Sequence, residues 1–503
     1  ALGTLVAVVG APFVALSMNG PLLQRWYSLS GADDAADPYF LYAASNAGSF
    51  IGLLGYPLLA EPLLGTAAQS SAWTWAYGSL LLLIASTAWV TSRADRTPPA
   101  AAAALVPQPD ATRAGQPPAS PQQPTPQQQL RWVLLAAIPS SLLLGVTNFL
   151  TTDLAAIPLL WVIPLALYLL TWIATFASKP WVSVAWTSRA LPILVVAWLL
   201  LYFTEATEPA WALVLFHLLA FVAAALLCHG RLAEDRPDPI HLTRFFLITS
   251  LGGVLGGAFN ALLAPILMPD LWEYPLVVIA ACFAVPGAGL QSWRDIVWRD
   301  IALPLAVGAS ALAILLVANS LSMPAGPTRT LMTFGLPTLA AWLLVDRPLR
   351  FAIAASLLVL IAPLSPSPSG AVVHTERSFF GVQRVTVDAS SRFNQVVHGH
   401  TLHGRQWRDD ERACVPLAYY HRSGPLGGIA RALGSRFDNL AMVGVGAGSM
   451  LDYRTNRSRW HVVDIDPATW TLAREHFSFL KGCPKGLAAA AHAATEQVSA
   501  DGR

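Results

Sequence analysis

Charge is what this chain has least of. Of its 503 residues only 12% are Asp, Glu, Lys or Arg, against about 25% in ordinary soluble domains. That scarcity excludes a single water-soluble globule. The balance is also near neutral, with 31 basic residues and 29 acidic, and the arginines of the C-terminal part carry no interleaved aromatic pattern, so nucleic acid is not an expected partner. Cysteines number 4, and Cys228, Cys282, Cys414 and Cys483 stand far apart in unlike surroundings. That spacing suits neither a zinc site nor a disulfide framework. An initiator methionine is missing too. Ala1 stands inside an apolar run, so helices upstream are expected to be missing or processed away, and no signal peptide is readable.

What is present is apolar: 54% of residues are hydrophobic. Stretches long enough to cross about 30 Å of hydrocarbon lie near 1–18, 39–60, 72–91, 132–150, 156–177, 187–203, 209–228, 242–264, 274–290, 302–320, 328–345 and 349–364. The expected fold class is therefore a polytopic α-helical membrane region followed by a small α/β domain. Its parts are a first helix group at 1–92, a disordered Pro/Ala/Gln-rich linker at 93–131 and a second helix group at 132–364. A β-hairpin subdomain at 371–437 and a partial Rossmann-like unit at 438–503 complete it. The linker has too little apolar surface to offset the entropy of ordering.

Basic residues favour the cytoplasmic side, and here Arg93, Arg131, Arg189, Arg231, Arg236, Arg244, Arg299, Arg347 and Arg350 fall in alternate connections. Glu61, Asp153, Glu205, Glu208, Asp270 and Glu273 occupy the intervening ones, with Arg329 the exception. If 349–364 spans, this count places the C-terminal domain outside the cytoplasm, whereas a nucleoside ligand places it inside. The expectation taken from the ligand is a cytoplasmic domain, with 349–364 re-entrant or interfacial.

Polar side chains within the spans are few: Asn19, Asn46, Asn148, His217 and Asn260. They read first as interhelical hydrogen-bond partners. No span carries the paired acids of a proton or cation relay. Gly252-Gly253-Val254-Leu255-Gly256-Gly257 sets two overlapping small-xxx-small pairs on one helix, a pattern that permits close backbone approach.

The chemistry concentrates near the end. Asn439-Leu440-Ala441-Met442-Val443 reads as an apolar strand running into Gly444, Gly446 and Gly448. A helix should follow, and a second strand, His461-Val462-Val463, ends in Asp464 and Asp466. In a doubly wound sheet such glycines let backbone approach a ligand, and such acids hold ribose hydroxyls. Before this unit, 379–388 and 393–398 read as two alternating strands joined by a turn. His398 and His400 share one strand face, but without a spaced carboxylate or cysteine they read as ordinary hairpin residues, so no metal site is expected.

A hairpin subdomain followed by a glycine-loop unit resembles the polyamine aminopropyltransferases, the spermidine synthase family. The chain as a whole resembles the bacterial fusions of a transporter-like (MFS-like) membrane region with a spermidine synthase-like domain. The residues carrying this are Glu376 to Val382, Leu402 to Gln406, Tyr419 to Pro425, the glycine loop and Asp464 to Pro467, with Pro158 to Tyr168 and His241 to Pro265 in the membrane part. The resemblance implies a multi-pass protein of the bacterial inner membrane. It implies decarboxylated S-adenosylmethionine as co-substrate, with no tightly bound cofactor, and aminopropyl transfer to a diamine or polyamine.

On that pattern Gly444, Gly446 and Gly448 form the nucleoside loop, Asp464 is the ribose acid, Asp466 the alternative acid and Gln406 a diamine contact. The sequence departs from the family where an acid inside the loop is replaced by Ala447. The family's Tyr-His-Glu element is not recognisable between Cys414 and His421, and the later strands bearing the catalytic aspartate are missing after Leu480. A non-catalytic or incomplete enzyme is the resulting expectation. The alternatives are a polyamine or metabolite carrier with a nucleoside-sensing domain, and an accessory subunit of a membrane complex.

Overall fold

The structure, a computed structural model, describes residues 2–28, 37–93, 123–154, 159–287, 297–366, 370–388, 390–399, 401–455, 457–481 and 496–499, with isolated positions between them. Most of the expected linker and the Ser/Pro boundary at 367–369 lie outside the described residues.

Among the described residues seven helices are long and apolar enough to cross a membrane. They are Gly3–Tyr27, Thr66–Arg93, Pro126–Thr152, Val184–Thr204, Ala210–Glu234, Pro239–Leu267 and Trp298–Ser320. Val162–Phe176, Glu273–Phe283 and Pro348–Leu364 are apolar but shorter. This is the architecture of a multi-pass membrane protein, with fewer full-length spans than the twelve apolar stretches suggest. Two of the helix starts are set by side chains: Thr125 accepts from the Gln128 amide ahead of Pro126, and Ser183 accepts from the Trp186 amide. Each satisfies an N–H that has no partner inside its helix.

Close packing comes from small residues. A Cβ added at Gly252 would stand 2.5 Å from the Val133 carbonyl oxygen, and one at Gly256 would stand 2.2 Å from that of Ala137. One small-xxx-small pair thus brings Leu242–Ala258 onto Pro126–Phe149. Gly253 faces open space and Gly257 makes only ordinary contact. Asn260 donates to the Ser141 carbonyl on the neighbouring helix, as its position suggests, while Asn46 bonds only within its own helix.

From Pro126 onward the helices alternate direction and sort their ends by charge. At one end Arg131 pairs with Asp235 at 2.5 Å and Arg350 with Asp300 at 2.7 Å. The other end carries Glu205, Asp270 and Glu273, with the buried Arg329 as the exception. Pro348–Ile361 packs through the core, with Phe351, Ala352, Ala354, Ala355, Leu358 and Val359 buried. It runs from the Arg350–Asp300 pair toward the acidic end.

There the chain enters an antiparallel sheet of four strands in the order β1 (Ala371–Ser378), β2 (Gly381–Val387), β3 (Phe393–His398) and β4 (Thr401–Trp407). The expected hairpin is thus the centre of a four-stranded meander. Alternation along β2 turns Gln383 and Val385 to one face and Arg384 and Thr386 to the other. The first pair meets the C-terminal unit and the second meets the helices.

The C-terminal unit is a parallel sheet, β5 (Asn439–Val443), β6 (Arg459–Asp464) and β7 (Glu496–Ser499), with Pro467–His476 crossing from β6 toward β7. Two expectations change. A third strand does follow Leu480; it is four residues with no apolar run, and it joins through backbone pairing to β6. The helix expected after the glycines is only a 3₁₀ turn, Ser449–Tyr453. Beyond it the Thr455 and Ser458 hydroxyls both bond to Asp438, at the foot of β5.

Cys228 and Cys282 are buried free thiols. Cys414 is disulfide-bonded, which corrects the reading of the cysteine spacing.

Candidate functional site

β5 delivers the chain to the glycine loop at the carboxyl end of the parallel sheet. Gly444, Gly446 and Gly448 all have positive φ, at 92°, 54° and 81°, a region that side chains other than glycine rarely enter. The Gly444 amide extends the ladder by donating to the Val463 carbonyl at 2.7 Å. The glycines then differ in what they face. A Cβ on Gly446 would stand 3.0 Å from the His403 carbonyl oxygen, and one on Gly448 would touch Phe479 at 3.4 Å, whereas nothing lies within 4 Å of one on Gly444. Gly446 and Gly448 serve packing; Gly444 opens to where a ligand can approach.

Asp464 ends β6 beside this opening and is 9% exposed. One carboxylate oxygen accepts the Val445 amide at 2.8 Å, and the other accepts the Asp466 amide at 2.9 Å. It therefore fixes the loop, and each oxygen still has a lone pair for a hydroxyl.

Asp466 faces inward. It caps Pro467–His476 through the Ala468 amide and accepts from Ser378 at 2.7 Å and Gln383 at 3.1 Å, which ties the helix to the antiparallel sheet. Gln406 is 4% exposed and stands apart from both acids. Its amide donates to the Ala413 carbonyl and the Ser478 hydroxyl and accepts from the Ser478 amide. The loop and Asp464 are thus brought together, while Asp466 and Gln406 each hold two parts of the domain to one another.

The two sheets meet closely behind the loop. A Cβ on Gly404 would lie 2.3 Å from that of Ala447, so Ala447 is a packing contact against β4. Tyr419 donates to the His403 carbonyl and Tyr453 to that of Tyr420, closing the side of the loop. Burial, with the nearby His398 ring, lowers the His403 pKa below its ordinary 6.5. His398 has a partnerless buried Nε2, and among the described residues no three His, Cys, Asp or Glu side chains group to hold a metal. His400 lies outside them.

A second concavity, of about 710 Å³, lies between the acidic helix ends and the antiparallel sheet. Asn148, His217, Asp270 and Glu273, separate signals in the sequence, meet at its wall with Thr386 from β2. Only the shared level of these polar residues at successive helix ends hinted at it. Two ion pairs flank it. Arg377 grips Glu273 through both nitrogens, at 3.1 and 2.8 Å, with side chains 7% and 2% exposed, and Arg384 meets Asp270 at 2.5 Å.

No protein-family model, curated protein or solved structure matches the chain.

Proposed function

We propose that this chain is a membrane-embedded spermidine synthase-like protein whose Rossmann-like domain binds an S-adenosyl-type nucleoside but does not itself transfer an aminopropyl group. The observation that supports binding is the open position at Gly444, held in a positive-φ conformation beside Asp464 at the carboxyl ends of parallel strands. Ligands of doubly wound sheets are held at such strand ends. The short 3₁₀ turn after the loop offers no helix dipole for a phosphate, which favours a nucleoside over a dinucleotide. Attack by a neutral amine also needs a base. Asp466 and Gln406, the nearest candidates for base and amine contact, are already engaged internally.

The domain lies, on this reading, on the non-cytoplasmic side, which reverses the expectation taken from the ligand. Two observations support this side: the arginine-rich helix ends gather opposite the sheet, and Cys414 is oxidised, as befits an oxidising compartment. The bound molecule is then an exported nucleoside such as methylthioadenosine, instead of cytosolic decarboxylated S-adenosylmethionine.

Titration calorimetry of the full chain with methylthioadenosine tests the site. Asp464→Asn is expected to lose about 1.5–3 kcal/mol, roughly ten- to a hundred-fold in affinity, and Gly444→Val to abolish binding. Equal affinities across the three proteins would reduce the glycines to turn formers. A C-terminal alkaline phosphatase fusion should be active and a fluorescent-protein fusion dark; the opposite result would return the domain to the cytoplasm.

A further inference from the structure

The turn that joins β1 to β2 stands where the sheet meets the end of a membrane-length helix. Arg377, the next to last residue of β1, donates to the Met268 carbonyl at 3.4 Å and to the Asp270 carbonyl at 2.7 Å, besides its grip on Glu273. Met268 directly follows Pro239–Leu267, one of the helices long and apolar enough to cross a membrane. Along that helix Leu247, Leu251, Leu255, Leu262 and Ile266 are exposed at spacings of four and seven residues, which makes one apolar stripe. Leu267, the last residue, is exposed as well. A lipid-facing surface therefore continues to within a residue of the carbonyls that Arg377 holds.

Two residues beyond Arg377 the turn carries Phe379, 96% exposed, and then Phe380, 40% exposed. Two-residue hairpin turns ordinarily take Asn, Asp or Gly, and this one is closed without the rings, because the Ser378 hydroxyl accepts the Phe380 amide at 3.1 Å. The rings pack edge to face on each other at 5.4 Å, and among the described residues neither belongs to a buried cluster. Neither turn geometry nor core packing accounts for them. Strand alternation gives their direction: Arg377 turns to the helices and Ser378 the opposite way, to Asp466, so alternation carried one residue further turns Phe379 to the helix side. The charges nearest the tip on that face, Arg377 and Arg384, are both paired.

We infer that the Phe379–Phe380 tip inserts into the bilayer interface beside the end of Pro239–Leu267, and so forms a lipid contact of the C-terminal domain itself. Two extended residues reach at most about 7 Å beyond Arg377, and the headgroup layer on each side of the hydrocarbon is roughly 5–7 Å deep. The tip therefore cannot leave that layer while Arg377 holds the helix end. Exposed phenylalanine gains by leaving water, and phenylalanine on the apolar face of an interfacial segment is a common membrane anchor. A protein partner would have to displace the lipid that already meets Ile266 and Leu267. The inference does not depend on nucleoside binding at the glycine loop.

The test is fluorine NMR of the full chain in lipid nanodiscs, with trifluoromethylphenylalanine placed at Phe379 or, as a reference, at Ser435. Ser435 is exposed in the 3₁₀ turn that leads into β5, in the unit that meets the sheet face turned away from the helices. Nitroxide-labelled lipid should broaden the Phe379 signal at least threefold more than the Ser435 signal, and a water-soluble gadolinium chelate should broaden it at least threefold less. With the probe moved to Phe380, Phe379→Asp should cut the broadening by labelled lipid at least threefold while the melting temperature holds, since the ring lies outside every core. Broadening at Phe379 equal to that at Ser435 from either reagent would overturn the inference, as would no effect of Phe379→Asp. Protection of Phe379 from both reagents would place the ring against protein, a second copy included, and would overturn it too.

Discussion

The antiparallel sheet has two faces and two quite different seams. Toward the helices it is joined by charge, with Arg377 on Glu273 and Arg384 on Asp270. Toward the parallel sheet it is joined by packing and by hydrogen bonds from neutral donors: Gly404 against Ala447, Gln383 and Ser378 on Asp466, and Gln406 on Ser478, with Val385, Val396, Leu472, Phe477 and Phe479 packed between. An ionic seam tolerates a gap beside it, and the cavity lies there. A seam built on a missing Cβ tolerates none. Strand alternation produces both, because successive residues of β2 serve opposite partners.

The largest effect is expected from splitting the buried ion pair. Glu273→Ala leaves the Arg377 guanidinium buried without its partner and should cost about 3–5 kcal/mol, read as a lower denaturant midpoint of the full chain. The double variant Glu273→Leu with Arg377→Met should recover most of that. If Glu273→Ala proves neutral, the ionic seam is not what docks the sheet.

The steric seam comes next. Gly404→Ala drives a methyl into Ala447 and should cost about 1–3 kcal/mol, and adding Ala447→Gly should restore stability. No recovery in the pair would mean that the contact is not the source of the loss. Gln406→Leu, which leaves the Ala413 carbonyl and the Ser478 amide unpaired in the same seam, should cost about 1–2 kcal/mol.

Arg384→Ala should cost under about 1 kcal/mol, since both partners are roughly 30% exposed, and the loss should shrink in high salt. A salt-independent loss would place the pair in drier surroundings than it occupies.

The smallest effect separates the seams by pH. Burial, and then the charge of His398, depress the His403 pKa; burial, and then His374, depress that of His476. Both histidines belong to the seam with the parallel sheet. A depressed folded-state pKa means stability that is full above the ordinary 6.5 and is lost as pH falls below it. Thermal unfolding should therefore soften between about pH 7 and 5, and His403→Gln should flatten the profile. An unchanged slope in that variant would assign the acid sensitivity elsewhere.

What the sequence made legible was local. Apolar runs located the helices, Gly252 and Gly256 announced a close crossing, and Val443 running into Gly444 marked the loop, because each signal depends on neighbours within one or two turns. The strands β1 and β4 were harder: Val372 to Arg377 and Leu402 to Gln406 mix apolar with charged residues, since each strand serves two different seams. The 3₁₀ turn was misread as a helix because the glycine-loop pattern carries that expectation. The cavity was hidden altogether. Asn148, His217, Asp270 and Thr386 are separated by tens of residues or more, and only the alternation of helix directions sets them at one level.

The helix that carries the chain into the sheet is short. Its α-helical part, Pro348–Ile361, and the 3₁₀ turn Ala362–Leu364 that continues it rise together about 27 Å, slightly less than a hydrocarbon thickness of about 30 Å. A tether that falls short of the bilayer's far surface draws what it holds down into it, or thins the bilayer to meet it. The antiparallel sheet that follows is therefore expected close to the bilayer surface, where headgroups become part of its surroundings.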